Sequence, residues 1–464
     1  MNMRNTVIGL LFCLFFIACQ GEDRREEYEQ YTGVQKWAES IMRKDYYWYQ
    51  EMPDVSKLNF FTEPKAFFQS LLSEKDGKRK NGSRYYYSVL ENLEEANTRS
   101  IQQTNYSYGF EFKVYRIMNG TQSLYGVLIL YVVPNSQADK IGLKRGQWIF
   151  EINDIPVSEK NYTVLYGGEA ATLGVSERYE GDFLPVEKYV IEAACEIDDN
   201  PVHYHTVYLS DDHSKRIGYL VYNHFTAGKT DEDQTYDDNL RNVSLEFKNE
   251  GINEFILDLR YNNGGLLSSA ELLCAILAPE STLGKVLGYM EYNDKYNPQI
   301  YNITLNAGIL KGGANLNLST LYVLTSESSA SASELIINCL SPYMKVVLIG
   351  TQTEGKNVGS TSYKNDEFNW ELHPIVCKIY NSENKSDYVN GFTPHYIIDE
   401  SSNSSLDNFL EFGNPDELFL SKALQLISGI DGEGEIPASR SLTGESIPVY
   451  CSLDRKATNG VVIP

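Results

Sequence analysis

The stretch "LYVLTSESSASASELIINC", residues 321–339, joins an apolar run to a helical pattern through a turn that is rich in serine. A second apolar run, "VVLIG" at 346–350, follows it. A flexible linker has no need of strands on both sides, whereas a turn between a strand and a helix N-terminus is a recurrent place for a nucleophilic hydroxyl. The stretch therefore predicts strand, helix and strand, with a candidate nucleophile at the start of the helix.

A similar order of elements occurs upstream. "FILDLR" at 255–260 is a continuous apolar strand, "YNNGG" at 261–265 is a turn, and "LLSSAELLCAILAP" at 266–279 has a helical pattern that ends in proline. Alternating strands and helices predict a parallel sheet with right-handed crossovers. For residues 209–428 we therefore expect a core of βαβ repeats.

Three polar turns of this core each follow a strand directly. They are "YNNGG" at 261–265, "SESSASA" at 326–332 and "TQTEGKNVGS" at 351–360. Because the strands are expected to be parallel, these turns should meet at one carboxyl edge of the sheet, where open α/β sheets bind their ligands.

That edge offers the groups of an acyl-transfer site, which needs a nucleophile, a base and oxyanion donors around one carbonyl. Ser331 stands at the mouth of a helix, whose free N–H groups favour a developing oxyanion. Gly264 and Gly265 allow the backbone to approach a ligand closely. Lys356 is the candidate base, provided that burial lowers its pKa from about 10.4 toward 7 to 8.

Other interpretations of the serine turn remain open at this point. Ser331 and Glu334 fit the S-x-x-E capping box, which has a structural role at helix N-termini. Ser329 and Ser333 compete with Ser331 for the part of nucleophile, and local sequence does not choose among them.

Histidine chemistry is a further alternative. A Ser-His-Asp triad would recruit His224 or His373 together with Asp258, although neither histidine stands in a recognisable turn after a strand. "HYH" at 203–205 would place two imidazoles on one face of a strand, as in a metal site, but it also fits an exposed edge strand. No metalloprotease, P-loop or dinucleotide motif is present, so we expect no metal and no cofactor.

Residues 101–208 change to short alternating runs and then to "PNSQADKIGLKRGQWIFEINDIPV" at 134–157, which resembles a PDZ domain. In that family a loop captures the C-terminal carboxylate of a peptide through backbone N–H groups, while the peptide adds a strand to the sheet edge. The resemblance implies a peptide-binding loop formed by Tyr108, Gly109 and Phe110. Glu111 beside this loop would repel a carboxylate.

Taken together, "DLRYNNGG" at 258–265, "SASASE" at 329–334 and the Gly-Lys pair at 355–356 resemble the carboxyl-terminal processing proteases, which are tail-specific serine peptidases with a Ser-Lys dyad. The resemblance extends over about residues 105–400 and implies an acyl-enzyme mechanism.

The residue roles follow from that resemblance. It implies that Ser331 is the nucleophile and Lys356 the base, with an oxyanion hole formed by the N–H groups of Ala332 and of Gly264 or Gly265. The family often has a glutamine four residues after the lysine, where this chain has Ser360.

The N-terminus predicts export. Arg4 precedes twelve apolar residues that are too few to span a bilayer and match the apolar region of a signal peptide. The order "FIAC", which ends at Cys19, resembles a bacterial lipobox, so residues 1–19 are expected to be a lipoprotein signal and Cys19 the lipidation site. A charged tether, 20–30, follows.

The whole chain of 464 residues is apolar enough, at 42%, for about three packed domains. Its formal charge of −23 argues against a nucleic-acid partner. After the two cysteines of the signal, five are left without CxxC spacing, so neither a disulfide framework nor a zinc site is indicated.

We therefore expect an α+β multidomain protein with a helical N-terminal domain at 31–100, a PDZ-like module at 101–208, a protease core at 209–428 and an extended or poorly ordered tail at 429–464. The expected activity is that of a lipid-anchored serine endopeptidase of the cell envelope, which acts on proteins with unstructured C-termini. The alternatives are a non-catalytic peptide-binding lipoprotein and a Ser-His hydrolase.

Overall fold

The computed structural model describes residues 25–80, 82–93, 106–119, 122–179, 182–230, 232–402, 405–429, 446–455 and 461–462. Its α-helices are α1 Arg25–Asp45, α2 Pro64–Gln69, α3 Gln137–Lys140, α4 Thr235–Asn249, α5 Leu267–Leu277, α6 Ala332–Leu340 and α7 Leu418–Ile427. The expected signal peptide and Cys19 lie outside the described residues.

The strands fall into four groups along the chain. The first group is β1 Lys78–Lys80, β2 Ser83–Tyr85 and β3 Val89–Asn92. The second is β4 Tyr106–Ser107, β5 Phe110–Asn119, β6 Gln122–Val132, β7 Trp148–Ile152, β8 Ile155–Pro156, β9 Ala171–Ser176, β10 Arg178–Tyr179, β11 Asp182–Phe183, β12 Glu187–Ile191 and β13 Cys195–Glu196.

The third group builds the core and the fourth comes from the C-terminal segment. The core strands are β14 Val202–Leu209, β15 Arg216–Tyr222, β16 Glu254–Asp258, β17 Val286–Tyr292, β18 Ile300–Thr304, β19 Thr320–Thr325, β20 Lys345–Gly350, β21 Val358–Ser360, β22 Tyr363–Asn365, β23 Trp370–His373, β24 Ile375–Asn381 and β25 Tyr396–Ile397. The last two are β26 Ser446–Cys451 and β27 Val461–Val462.

The core is a six-stranded sheet in the order β14-β15-β16-β19-β20-β25. The neighbours from β15 to β25 pair in parallel, and β14 pairs antiparallel with β15. The parallel sheet predicted from the βαβ pattern is thus confirmed. Since β16, β19 and β20 are adjacent and parallel, the turns that follow them meet at one edge.

Both faces of this sheet are covered, which explains why its strands are apolar throughout. Leu257 and Val323 belong to a buried cluster with α5 and α6 on one face. Their neighbours Ile256 and Leu324 belong to a second cluster on the other face, where α7 packs. The alternation follows from the period of two residues in a strand.

Residues 106–196 form a β-rich module whose seven-stranded sheet has the order β12-β9-β7-β6-β5-β26, with β8 paired to β7. One side of the sheet has its own apolar cluster. On the other side, Trp148 and Leu128 join the cluster around α7 and so dock the module on the core. β14, Val202–Leu209, crosses the boundary expected between residues 208 and 209, and its whole length pairs with β15 of the core.

The N-terminal unit is mixed rather than helical. It contains α1 and α2 but also β1–β3, and β3 extends a three-stranded sheet in the order β22-β23-β3. The strands of residues 78–92 are short and rich in polar and aromatic residues, so they lack the clear alternation by which a strand is predicted.

The C-terminal segment was expected to be an extended or poorly ordered tail, and its described residues form two strands and a turn. Residues 446–451 form β26 on the module, and Ser452–Arg455 form a 3-10 turn. β27 joins a five-stranded core sheet in the order β18-β17-β24-β21-β27. Phe112 and Ser452 are hydrogen-bonded although 340 positions separate them, and local sequence patterns do not report such distant pairing.

Candidate active site

Ser331 lies in the turn between β19 and α6, at the first position before the helix. Its backbone has φ 59° and ψ −107°, a combination that is strained for a residue with a side chain. The residue is fully buried. The N–H of Ala330 donates to the carbonyl of Asn262 at 3.1 Å, which ties the serine turn to the "YNNGG" turn. This strained strand-to-helix turn is the geometry expected for a nucleophile.

The two competing serines have structural partners. The hydroxyl of Ser329 donates to the carbonyl of Leu259 at 2.8 Å, and the hydroxyl of Ser333 donates to the carbonyl of Asn262 at 2.9 Å. Both are fully buried. These hydroxyls hold the neighbouring turn, so Ser329 and Ser333 have structural roles there, and Ser331 stays the candidate nucleophile of the sequence analysis.

Gly264 and Gly265 stand beside the serine turn with φ +106° and φ +137°, where a side chain would be strained. A Cβ on Gly264 would lie 2.8 Å from Cβ of Ser331 and 3.1 Å from the nitrogen of Ala332. The glycine therefore permits the close approach of the two turns. The N–H of Gly264 donates to Oδ1 of Asn262 at 2.8 Å, which leaves the N–H groups of Gly265 and Ala332 as the better candidates for an oxyanion hole.

Glu334 belongs to the candidate site, although the sequence analysis assigned it only a capping role. Its Oε2 accepts the N–H groups of Ser331 at 3.0 Å and of Lys356 at 2.7 Å. Its Oε1 accepts the hydroxyl of Thr353 and the N–H of Gly355, each at 2.6 Å. The S-x-x-E pattern of the capping box signals the first of these bonds. One carboxylate thus joins the helix N-terminus to the loop of the candidate base.

Burial raises the pKa of the Glu334 carboxyl to about 7, although the hydrogen bonds from Thr353, Lys356, Ser331 and Gly355 oppose the shift. A carboxyl without these donors would be more strongly disfavoured as an anion in such a site. The donors are all part of the two turns, so they stabilise the charged form only when the site is assembled.

Lys356 is buried, with 2% of its surface exposed. Desolvation lowers the pKa of its amine to about 8, against the opposing charges of Asp76, Glu354 and Glu334. Within the part of the chain that the structure describes, Nζ has no hydrogen-bond partner. Ser360, which stands where the resemblance leads us to expect a glutamine, lies on β21 opposite Ile375. The pKa of this amine thus lies closer to neutral pH than that of an exposed lysine, as a general base requires.

Two residues of the N-terminal unit complete the surroundings of Lys356, and no sequence motif pointed to either. Nζ of Lys356 lies 4.9 Å from the ring centre of Tyr87, within the range of a cation–π contact. Asp76 is fully buried and accepts the N–H of Tyr87 at 2.9 Å and the hydroxyl of Tyr46 at 2.9 Å. The N-terminal unit therefore contributes to the environment of the candidate base.

The candidate histidines are placed elsewhere. Nδ1 of His224 is 3.0 Å from the Thr226 hydroxyl, and Nε2 of His373 is 3.7 Å from Glu371. The carboxylate of Asp258 accepts from Nη2 of Arg260 at 2.7 Å instead of from a histidine. The structure does not assemble a Ser-His-Asp triad from these residues.

The two histidines of "HYH" also have separate neighbours. The ring of His203 packs edge-to-face against Tyr131 and Phe412, and burial lowers its pKa to about 4. His205 instead lies 3.1 Å from Glu246 at the surface. Each imidazole thus has a structural environment of its own.

The "DLR" part of the motif stabilises the end of β16 and the start of the "YNNGG" turn. Arg260 is fully buried, and its guanidinium donates to Asp258 and, through Nη1, to Glu417 at 2.7 Å. Glu417 in turn accepts the N–H groups at the start of α7. Bidentate arginine–carboxylate pairs fix geometry, so this network holds the strand end from which the "YNNGG" turn departs.

The predicted peptide-binding loop lies in the module, at the start of β5. Tyr108 is buried and its ring stacks on Phe110 with the centroids 6.4 Å apart. The N–H of Gly109 donates to the hydroxyl of Ser107 at 2.9 Å. The structure thus places this loop on a different sheet from the three polar turns of the core.

A cleft of about 510 Å³ lies where the three units meet. It is lined by Tyr85 of the N-terminal unit, Lys113 of the module, and Ser328 and Glu354 of the core, among others. Ser331 and Lys356 are not part of its lining, since both are covered by neighbouring residues. In the described ranges, no helix has the length and apolar character needed to cross a membrane.

The geometry can be compared with known proteins. Residues 216–398 match the model of Peptidase family S41, and residues 33–89 match that of the Peptidase S41 N-terminal domain. The crystal structure of a putative S41 protease from Bacteroides fragilis is similar with a TM-score of 0.76 and 38% sequence identity, over 85% of this chain and 98% of that one.

Curated relatives are more distant. The chain is 23% identical over 216 residues to the carboxyl-terminal-processing protease of Synechocystis and 26% identical over 239 residues to the chloroplastic carboxyl-terminal-processing peptidase 1 of Arabidopsis thaliana. These matches cover 46% and 51% of this chain and span 44% and 45% of the relatives' length. Because both family models match and the Bacteroides fragilis structure is covered almost completely, the chain belongs to peptidase family S41.

Proposed function

We propose that the protein is a serine endopeptidase with a Ser331–Lys356 dyad. The observation that carries the proposal is the shared attachment of both residues to Glu334, which holds a strained helix-capping serine next to a buried lysine whose amine has a pKa of about 8. Membership of peptidase family S41 and similarity to carboxyl-terminal-processing proteases support the same reaction class.

The reaction proceeds by proton transfer and acyl transfer. The neutral amine of Lys356 takes the proton of the Ser331 hydroxyl as its oxygen attacks the scissile carbonyl. The N–H groups of Gly265 and Ala332 donate to the oxyanion that develops. The lysine ammonium then gives its proton to the leaving amine, and the C–N bond breaks to leave an acyl ester on Ser331. Lys356 then takes a proton from the water that attacks the ester. The bond between the acyl carbon and the Ser331 oxygen breaks, the ammonium returns the proton to that oxygen, and the acid product is released.

The proposed substrates are proteins with unstructured C-termini, as the similarity to the processing proteases suggests. The β-rich module, which resembles a PDZ domain in sequence, would bind them. It is attached to the catalytic turn: Nη1 of Arg145 in the module donates to the hydroxyl of Tyr261, the first residue of "YNNGG", at 2.7 Å. Binding on the module is thus mechanically connected to the turn that carries Gly264 and Gly265.

The proposed location is the cell envelope, where a lipid on Cys19 would anchor the protein. The support is the sequence alone, namely a short apolar signal that ends in "FIAC". The two partners implied are therefore a polypeptide substrate and a membrane surface.

The test is covalent labelling with a fluorophosphonate probe, compared among the wild type, Ser331→Ala and Lys356→Ala. Ser328→Ala is a matched control from the same serine run. We expect labelling of the wild type and of the control, none of Ser331→Ala and very little of Lys356→Ala. A folded wild type that is not labelled and hydrolyses no peptide would instead be a non-catalytic peptide-binding protein.

A further inference from the structure

The edge of the module sheet is occupied by the chain's own C-terminal segment. β26 pairs antiparallel with β5, with Ser446 opposite Ile117 and Cys451 opposite Lys113. β5 would otherwise be an edge strand with unpaired N–H and C=O groups, which is a template for strand addition. The pairing has the geometry by which modules of this kind bind an extended polypeptide.

Side chains fix the register of this segment. The hydroxyl of Ser452 accepts the N–H of Phe112 at 2.8 Å and donates to the carboxylate of Glu111. Glu111 and Ser452 are both buried. The ring of Tyr450 packs against Tyr162, with the ring centroids 5.1 Å apart. The edge thus has a hydroxyl site and an aromatic site, two residues apart along the bound strand.

The bound strand does not end at the loop of Tyr108, Gly109 and Phe110. It passes the loop, and the carbonyl of Leu453 accepts from Nδ2 of Asn263 at 3.0 Å, in the "YNNGG" turn. Farther along, β27 pairs in parallel with β21, which begins at Val358 just after Lys356. The N-to-C direction of the segment therefore leads from the module edge to the catalytic turns.

The polar groups at the loop favour an internal stretch of chain over a free carboxyl end. The N–H of Gly109 is already engaged by the Ser107 hydroxyl. The carboxylate of Glu111 faces the bound hydroxyl and would repel a second carboxylate. A serine or threonine hydroxyl, in contrast, can donate to Glu111 and accept from Phe112 at once.

We propose that residues 446–455 occupy the surface on which substrates bind. A substrate would displace them and add an internal segment of its own chain to the edge of β5. The preferred segment is extended, with an aromatic residue two positions before a serine or threonine, and its C-terminal continuation enters the catalytic turns. This inference rests on the proposed peptidase function, because the displacing chain is taken to be the substrate. The binding of the peptide itself does not depend on catalysis.

Binding is tested first, on a Ser331→Ala chain that ends at residue 429, with a fluorescent peptide of residues 446–455. We expect saturable binding of this peptide. Replacing the residue corresponding to Ser452 by alanine should weaken it about tenfold, as expected for the loss of a hydrogen bond to a charged group. A scrambled peptide is the control. Equal binding of all three peptides, or no binding to the folded shortened chain, would overturn the proposal.

Competition between residues 446–455 and the substrate is tested in the full chain. This experiment also tests the proposal if the shortened chain does not fold. Tyr450→Ala and Ser452→Ala should lower KM for an unstructured protein substrate several-fold, because the apparent affinity rises with the fraction of molecules whose edge is vacant. Val190→Ala, exposed on β12 at the opposite edge of the same sheet, is the control and should leave KM unchanged.

The two proposals fail in different ways. If the wild type neither labels with the probe nor hydrolyses peptides, the peptidase function fails, and the binding of the 446–455 peptide still decides whether the segment is a ligand. If the enzyme is active but folded Tyr450→Ala and Ser452→Ala have an unchanged or higher KM, the segment is a fixed structural strand and the inference is overturned.

Discussion

Ser331 and Lys356 donate their backbone N–H groups to the same oxygen atom, Oε2 of Glu334, at 3.0 and 2.7 Å. The candidate nucleophile and the candidate base come from turns after different strands, so no local chain geometry fixes their relation. The buried carboxylate of Glu334 links them instead, together with a backbone hydrogen bond from the N–H of Glu354 to the carbonyl of Ser329 at 3.0 Å. The helix cap and the proposed catalytic arrangement, which are alternatives when the sequence alone is considered, thus share the same carboxylate.

Glu334→Gln should therefore reduce kcat while leaving KM nearly unchanged. A glutamine offers one acceptor oxygen, so either the N–H pair of Ser331 and Lys356 or the donors of Thr353 and Gly355 lose their acceptor. A displacement of about 1 Å in a reacting group can reduce the rate on the order of 100-fold. Steady-state hydrolysis of a peptide by the purified, folded variant measures this effect.

The matched control for that variant is Glu383→Gln, an exposed residue that pairs with Lys385. It should behave as the wild type. If Glu334→Gln is folded and retains full kcat, the carboxylate does not position the dyad.

The pH dependence of hydrolysis should identify the base. With a pKa of about 8 for Lys356, only about a tenth of the amines are neutral at pH 7, so kcat/KM should rise with pH through the ionisation of Lys356 near pH 8. Lys356→Ala should remove nearly as much activity as Ser331→Ala, since members of a catalytic unit are not additive. Hydrolysis of a peptide substrate measured from pH 5 to 10 gives this rising part of the profile, the activity limb.

His224→Ala and His373→Ala are the controls for this profile and should keep the limb near pH 8. A histidine base would place it near 6.5. Substantial turnover by folded Lys356→Ala would exclude the dyad.

Lys356→Met should make the protein more stable at neutral pH although it removes activity. The amine has a pKa of about 8 in the folded protein and 10.5 as a free group. Below pH 8 the charged amine therefore lowers the free energy of unfolding, by about 3 kcal/mol. Between pH 8 and 10.5 the unfolded chain binds more protons than the folded one, so wild-type stability rises with pH in this window.

The difference between Lys356→Met and the wild type in urea unfolding should therefore be largest at pH 7 and small at pH 10. A difference that is independent of pH would show that it comes from packing rather than from the buried amine.

The sequence predicted the parts of the fold that depend on local patterns. The strands and helices around residues 254–277 and 320–350 follow from apolar runs and turns, and their parallel order follows from the alternation. The meeting of three turns at one edge then follows from topology. Topology therefore predicts that the turns of Gly264, Ser331 and Lys356 meet, whereas the choice of Ser331 among the three serines came from the resemblance to the carboxyl-terminal processing proteases.

What the sequence did not predict depends on contacts between distant segments. Tyr87 and Asp76 approach Lys356 from a separate unit, and no motif marks them. β26 contains Pro448 and only a brief apolar alternation, so it resembles a loop. Proline is tolerated in an edge strand, and the strand is recognisable only by its pairing with β5.

Lipidation at Cys19 remains a prediction, and Cys19→Ala tests it. The variant should move from the membrane fraction to the soluble fraction, because the apolar signal is too short to span a bilayer. Fractionation with immunodetection, and mass spectrometry of the mature N-terminus, measure the change. Retention of the variant in the membrane fraction would argue for an anchor of another kind.

The contact between Tyr87 and Lys356 predicts that the N-terminal unit tunes the base. A ring face 4.9 Å from Nζ favours an ammonium over a neutral amine, so we expect it to oppose the effect of burial on the pKa of Lys356. Tyr87→Leu should therefore move the activity limb below pH 8, by on the order of half to one unit. Tyr87→Phe keeps the ring and should leave the limb in place.

These two variants separate the ring from the hydroxyl, which lies 3.3 Å from Oε1 of Glu354. Tyr86→Leu, at the adjacent position, controls for the general loss of an aromatic residue in this unit. The measurement is the pH dependence of kcat/KM for each folded variant on one peptide. If Tyr87→Leu loses activity at every pH with an unmoved limb, the ring serves packing alone. If Tyr87→Phe moves the limb as far as Tyr87→Leu does, the hydroxyl and Glu354, rather than the ring, set the pKa of the lysine.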